Sequence, residues 1–175
     1  MDYKSLCIQS LGFLGTTIYL LSFQFKNNKS LFTCQLISYI FYATHFLLLG
    51  AYTGCLSSFG SLLRACFLVS NNEKLHTKKA CAFVCLVQIL IGVFTFEGWY
   101  SILPVIANTS LTIAGFTNNP RHIRTIGIFI NSPMWIIYDA IVGSWAGVID
   151  EIITEASIII SVFRYKFNKK EDIIK

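Results

Sequence analysis

Residues 31–70 read LFTCQLISYIFYATHFLLLGAYTGCLSSFGSLLRACFLVS. This stretch holds a single permanent charge, Arg64. Two apolar runs, about 31–49 and 54–70, are divided only by Gly50-Ala-Tyr-Thr-Gly54. Each is close to the roughly 20 residues a helix needs to cross a bilayer core. Two glycines four positions apart make a tight turn. The stretch therefore predicts a pair of membrane helices joined by a short glycine turn.

The rest of the chain repeats this texture. Of its 175 residues, 54% are hydrophobic and 13% are charged, the latter about half the roughly 25% usual in soluble domains. Fifteen are Phe. One soluble core of this size could not hide so much apolar surface, so lipid is the expected solvent. The formal net charge of +5 does not point to nucleic acid, because the charges sit in short loops between apolar runs. The charges cut five further helices, at about 6–25, 80–96, 99–116, 123–142 and 146–164, making seven in all. Helix 5 contains Pro104 and helix 6 Pro133, which a membrane helix tolerates when neighbours satisfy the freed carbonyl. The first run is uncharged from Ser5 to Phe25 and no A-x-A site follows, so it is read as a retained helix and not a signal peptide. The six cysteines form no C-x-x-C spacing and nearly all lie in apolar runs, where they fill space as small hydrophobes. No metal site or cofactor is expected; Cys7 and Cys55 both fall near outer helix ends, which leaves a single bridge open.

Orientation follows from the basic residues. Lys26 and Lys29, then Lys74, Lys78 and Lys79, then Arg121 and Arg124, and in the tail Arg164, Lys166, Lys169, Lys170 and Lys175, all fall on one side of a seven-helix chain. The positive-inside rule makes that side cytoplasmic, with the N-terminus outside. Shifting the sequence by 93 positions lays Gly50 on Gly143, Gly54 on Gly147, Tyr42 on Trp135 and His45 on Tyr138. Helices 1–3 thus resemble helices 5–7, and helix 4 is left over. The expected fold is an all-α 3+1+3 parallel repeat, with bundles over 1–70 and 98–164, a linker helix within 71–97 and a cytoplasmic tail over 165–175.

Gln35-Leu-Ile-Ser-Tyr through His45-Phe-Leu-Leu-Leu-Gly50 to Arg64 resembles the YgjV family of bacterial inner membrane proteins. Leu103-Pro-Val-Ile106, Trp135 with Tyr138, and Gly143-Ser-x-x-Gly147 before Glu151 carry the same resemblance. It covers nearly the whole chain and implies an inner-membrane location, without assigning an activity. In that family the position of Tyr138 can be His and that of Asp139 can be Asn. Leu21-Ser-Phe-Gln24 with Lys29-Ser30 is similar to the PQ-loop of the wider PQ-loop and SWEET superfamily, with Phe23 in place of proline. That resemblance implies a 3+1+3 arrangement with the N-terminus outside. Neither the proline hinges of the sugar facilitators nor their substrate is carried over.

Ionisable groups inside membrane helices are costly and therefore functional candidates. At 100° per residue, Asp150, Thr154, Ser157 and Ser161 share one face of helix 7, flanked by Glu151 and Glu155. Ser57, Gly60, Ser61 and Arg64 share a face of helix 3. Small and hydroxyl residues also serve close helix packing. Arg64 lies too deep to snorkel, so it needs an anion or a hydrated cavity, with Glu155 the first partner and Glu151 the second; hydroxyls on its own face, Ser57 and Ser61, compete. His45, Asp139, Asp150 and Glu151 fall near outer helix ends, where they either snorkel or form an outer vestibule in which His45 changes charge near neutral pH. Gln24, Gln35, Asn108 and Asn131 either line a cavity or bond across helices. Trp135 and Tyr138 share a face that suits a stacking wall for a solute. There is no GxSxG, HExxH, GxGxxG or Walker loop, so no enzyme is expected. The leading reading is a small-solute transporter in lipid, with proton coupling and self-association left open and no nucleic-acid partner. The rival is a non-transporting receptor or assembly factor with a buried structural ion pair.

Overall fold

A computed structural model describes the backbone of residues 3–22, 28–70 and 72–174, and side chains at 3–21, 36–68, 70, 72–119, 121–156 and 158–160. These residues contain helices and no strand. The helices are α1 Tyr3–Ser22, α2 Asn28–Leu49, α3 Tyr52–Val69, α4 Lys78–Phe94, α5 Ile102–Phe116, α6 and α7 Trp145–Ile174. Helix α6 runs through three segments, Pro120–Ile126, a π-helical turn Gly127–Asn131, and Ser132–Val142.

Local chemistry sets the boundaries. Helices α2 and α6 end at Gly50 and Gly143, both at φ +77°, a left-handed conformation that glycine adopts without steric cost. Thr77 caps α4 by accepting from the Ala80 N–H at 3.2 Å, and Asn119 caps α6 by accepting from the Arg121 N–H at 3.0 Å, with Pro120 next in line. Helix 5 starts later than the sequence suggests. Trp99–Ser101 form a 3-10 turn, so Pro104 falls in the first turn of α5, where its missing N–H costs nothing. Pro133 has the opposite effect in α6, since it cannot donate to the helix. Just before it the Ser132 N–H reaches back five residues to the Gly127 carbonyl, and the helix widens into a π turn.

The packing is inverted relative to a water-soluble bundle. Among the described residues, fifteen buried side chains are polar or charged against thirteen buried hydrophobic ones other than proline, while side chains such as Phe94, Phe129, Val93 and Ile160 are exposed. Apolar outside and polar inside is the arrangement that lipid selects. Among the described residues, Arg121–Val142 is the one helix long and apolar enough by itself to cross a bilayer, with a mean hydropathy of 1.4. Neighbouring helices pack in chain order: α1 on α2, α2 on α3, α5 on α6, α6 on α7, and α7 closes back on α1. Helix α4 packs against α3 and α5 at the edge.

Candidate functional site

The two glycine turns lie at the same end of the bundle and are built alike. The Ala51 N–H donates to the Phe46 carbonyl and the Ser144 N–H to the Asp139 carbonyl; the Cys55 N–H donates to Ala51 and the Val148 N–H to Ser144. Each pair is related by the same 93 positions. Each turn is also held from the other half of the chain. His45 on α2 bonds Ser144 Oγ through Nε2 at 2.9 Å and the Ile8 carbonyl oxygen through Nδ1 at 2.8 Å. Tyr138 on α6 accepts the Gly54 N–H at 2.7 Å. Gln9 on α1 donates to the Gly143 carbonyl at 2.6 Å and accepts from the Ala146 N–H at 3.2 Å. Glu97 accepts the Tyr52 N–H at 2.6 Å. A cluster of Tyr42, Phe46, Trp135 and Tyr138, with Tyr100 against it, packs beneath the turns. The Trp135 and Tyr138 rings meet edge to face at 5.7 Å.

Next to this cluster lies a cavity of about 280 Å³. Its walls come from α1, α2, α3, α5, α6 and α7, and it reaches from Asp139 and Gly147 near the turns to Ile123 and Arg124. Along α6 that is roughly 24 Å at 1.5 Å per residue. Five pairs of lining residues are 93 positions apart: Tyr39 and Ser132, Tyr42 and Trp135, Phe46 and Asp139, Ser58 and Glu151, Ser61 and Thr154. The π turn brings Asn131 and Ser132, adjacent in sequence, onto the same wall. Among the described residues, six on the lining carry a buried atom with no hydrogen-bond partner: Asn108 Nδ2, Asn131 Oδ1, Ser132 Oγ, Asp139 Oδ1, Asp150 Oδ1 and Glu151 Oε2. Proteins satisfy nearly all buried polar atoms, so this concentration sets the cavity apart.

The profile of a family described as a bacterial inner membrane protein, Imp-YgjV, matches residues 6–169. This chain belongs to the YgjV family. No curated protein and no solved structure matches it. The YgjV assignment places the chain in the bacterial inner membrane, in keeping with its apolar exterior.

In this YgjV chain the cavity collects Ser61, Arg64, Asn108, Asn131, Trp135, Asp139, Asp150, Glu151 and Thr154 from the sequence candidates. His45 and Tyr138 are corrections. Both are fully buried and off the lining, and they hold the turns instead of a vestibule. Asp139 does not snorkel, being 2% exposed. The inward face of α7 carries Gly147, Asp150, Glu151, Thr154 and Ile158, which brings Glu151 onto the lining and leaves Glu155 off it. Arg64 makes no pair with Glu155; its Nη1 donates to Asn108 Oδ1 at 3.5 Å, which also accepts from Ser61 Oγ at 3.1 Å. Ser57 does not bond Arg64 either, and its Oγ has no partner among the described residues. Cys7 and Cys55 are free thiols. Gln24 lies outside the described residues, as do the side chains of Gln35 and Ser157. Sequence reasoning missed Tyr19, Tyr39, Tyr42, Phe46, Ser58 and Ser132 on the lining. The 93-residue shift could have found Tyr42, Phe46 and Ser58, as the mates of Trp135, Asp139 and Glu151.

Proposed function

We propose that this chain is a multi-pass transporter that carries a small polar solute through the cavity between two three-helix halves. The observation that carries this reading is the set of six buried polar atoms on the lining that meet no hydrogen-bond partner among the described residues. In a protein surrounded by lipid such atoms are costly unless water or a solute meets them. The glycine-turn end faces the periplasm in this reading, the N-terminus is outside and the C-terminus is cytoplasmic, as the basic residues indicate. Helices α1–α3 and α5–α7 form a 3+1+3 parallel repeat with α4 between them. The matched turns and the five lining pairs support that repeat, and rocking of one half against the other would expose the cavity to each side in turn. The chain acts without a cofactor and catalyses no covalent reaction.

Proteoliposomes test this directly. Flux of a small polar solute through the wild-type protein, abolished by Glu151→Gln in a folded variant, is the expected result. A folded, reconstituted protein that moves none of a broad panel of sugars, amino acids, amines and organic acids would instead favour a receptor or assembly factor. Reporters fused at the two ends should fall on opposite sides of the membrane.

A further inference from the structure

We propose that the turn-side part of the cavity is a binding subsite for a small organic cation bearing a protonated amine, a quaternary ammonium or a guanidinium group. This rests on the transport reading and names its class of solute. Three carboxylates line this region: Asp139 from α6, and Asp150 and Glu151 from α7. Each presents one oxygen with no donor among the described residues. Asp139 is 2% exposed, and its other oxygen lies close against Gly147, where an added Cβ would be 2.5 Å from Oδ2. Ser132 Oγ, fully buried on the same lining, is a further unpartnered oxygen.

The walls beside the carboxylates are aromatic. Tyr42, Phe46 and Trp135 all line the cavity, and ring faces attract ammonium and guanidinium groups most strongly where water is thinned out. The positive charges lie deeper, with Arg64 still within electrostatic reach of Glu151. Counting helix rise from the turns, Asp150 and Glu151 lie roughly 8–9 Å in and Arg64 roughly 18 Å in. Arg124 lies near the far end of α6. The turn side is therefore acidic and aromatic, and the cationic lining begins deeper. Anions are repelled there, and neutral polyols forgo the charge-assisted bonds that the free carboxylate oxygens offer. The cavity volume of about 280 Å³ suits a small cation.

The test is equilibrium binding and thermal unfolding of purified full-length protein with four probes: choline, agmatine, glycerol and succinate. Choline and agmatine should bind and stabilise; glycerol and succinate should not. Glu151→Gln and Asp150→Asn should each weaken both cations by about tenfold or more. Arg64→Gln should leave cation binding intact or tighten it, since it removes a like charge, whereas a site for an anion would lose affinity. Binding of succinate, loss of cation binding in Arg64→Gln, undiminished binding in folded Glu151→Gln and Asp150→Asn, or no cation binding to the folded wild type would each overturn the proposal. Flux of a neutral or anionic solute would end the cation subsite and leave transport standing. Carboxylate-dependent cation binding without flux would do the reverse.

Discussion

At the glycine turns polar groups pair across the bundle, His45 with Ser144 and Ile8, Tyr138 with Gly54, Gln9 with Gly143 and Ala146, and Asp139 beside them keeps Oδ1 without a partner among the described residues. About two helical turns further in, Asn131, Ser132, Asp150 and Glu151 each keep an atom without a partner among the described residues. The same residue chemistry serves two ends. Bonds made across the halves lock one end of the bundle, because a buried donor or acceptor left alone costs about 1–3 kcal/mol. Unmet groups in the cavity have already forgone that stabilisation, which is tolerable where a solute or water can approach them. Stability and function should therefore separate along the helix axis.

The largest effect is expected at the lock. His45→Ala removes both ring contacts and leaves a hole beside Gly12, whose Cβ would lie 3.0 Å from the imidazole; a loss of about 3 kcal/mol should appear as a large drop in thermal unfolding temperature. Tyr138→Phe keeps the ring and strips the acceptor from the buried Gly54 N–H, so about 2 kcal/mol is expected. Gly50→Ala and Gly143→Ala should each cost about 1–2 kcal/mol, and by similar amounts, since both glycines hold φ +77° with open space around an added Cβ. The smallest change in stability, within about 0.5 kcal/mol, is expected for Ser132→Ala, whose hydroxyl makes no hydrogen bond of ordinary geometry among the described residues. That variant should nevertheless slow solute flux. If Ser132→Ala unfolds the protein as readily as Tyr138→Phe does, the contrast between lock and cavity is lost.

Helix positions were legible because charges and glycines interrupt apolar runs, and Arg64 stood out as the one permanent charge in a stretch of apolar residues. The choice between Glu151 and Glu155 was not. They sit only 40° apart around α7, four residues at 100° each less a full turn, and a wheel drawn on Asp150, Thr154 and Ser157 centres the face too far from Glu151. The roles of His45 and Tyr138 depended on partners 99 and 84 positions away, which neither periodicity nor depth reveals. Tyr42 and Phe46 read as ordinary apolar wall, because an aromatic ring on a membrane helix looks the same facing lipid or a cavity. Asn131 and Ser132 could share a wall only through the π turn ahead of Pro133, whereas regular α-helical spacing sets consecutive residues 100° apart.

Neighbouring residues on α7 give the sharpest measurement. Thr154 lines the cavity, and Ile153 is 37% exposed on the outside of the bundle. In a chain whose six native cysteines are replaced, single Thr154→Cys and Ile153→Cys variants sit at nearly the same depth and differ only in which way they face. A charged, membrane-impermeant thiol reagent applied to the protein in lipid should label Thr154→Cys and spare Ile153→Cys. Labelling of Ile153→Cys alone, or of neither, would contradict a hydrated polar path through the centre of the bundle.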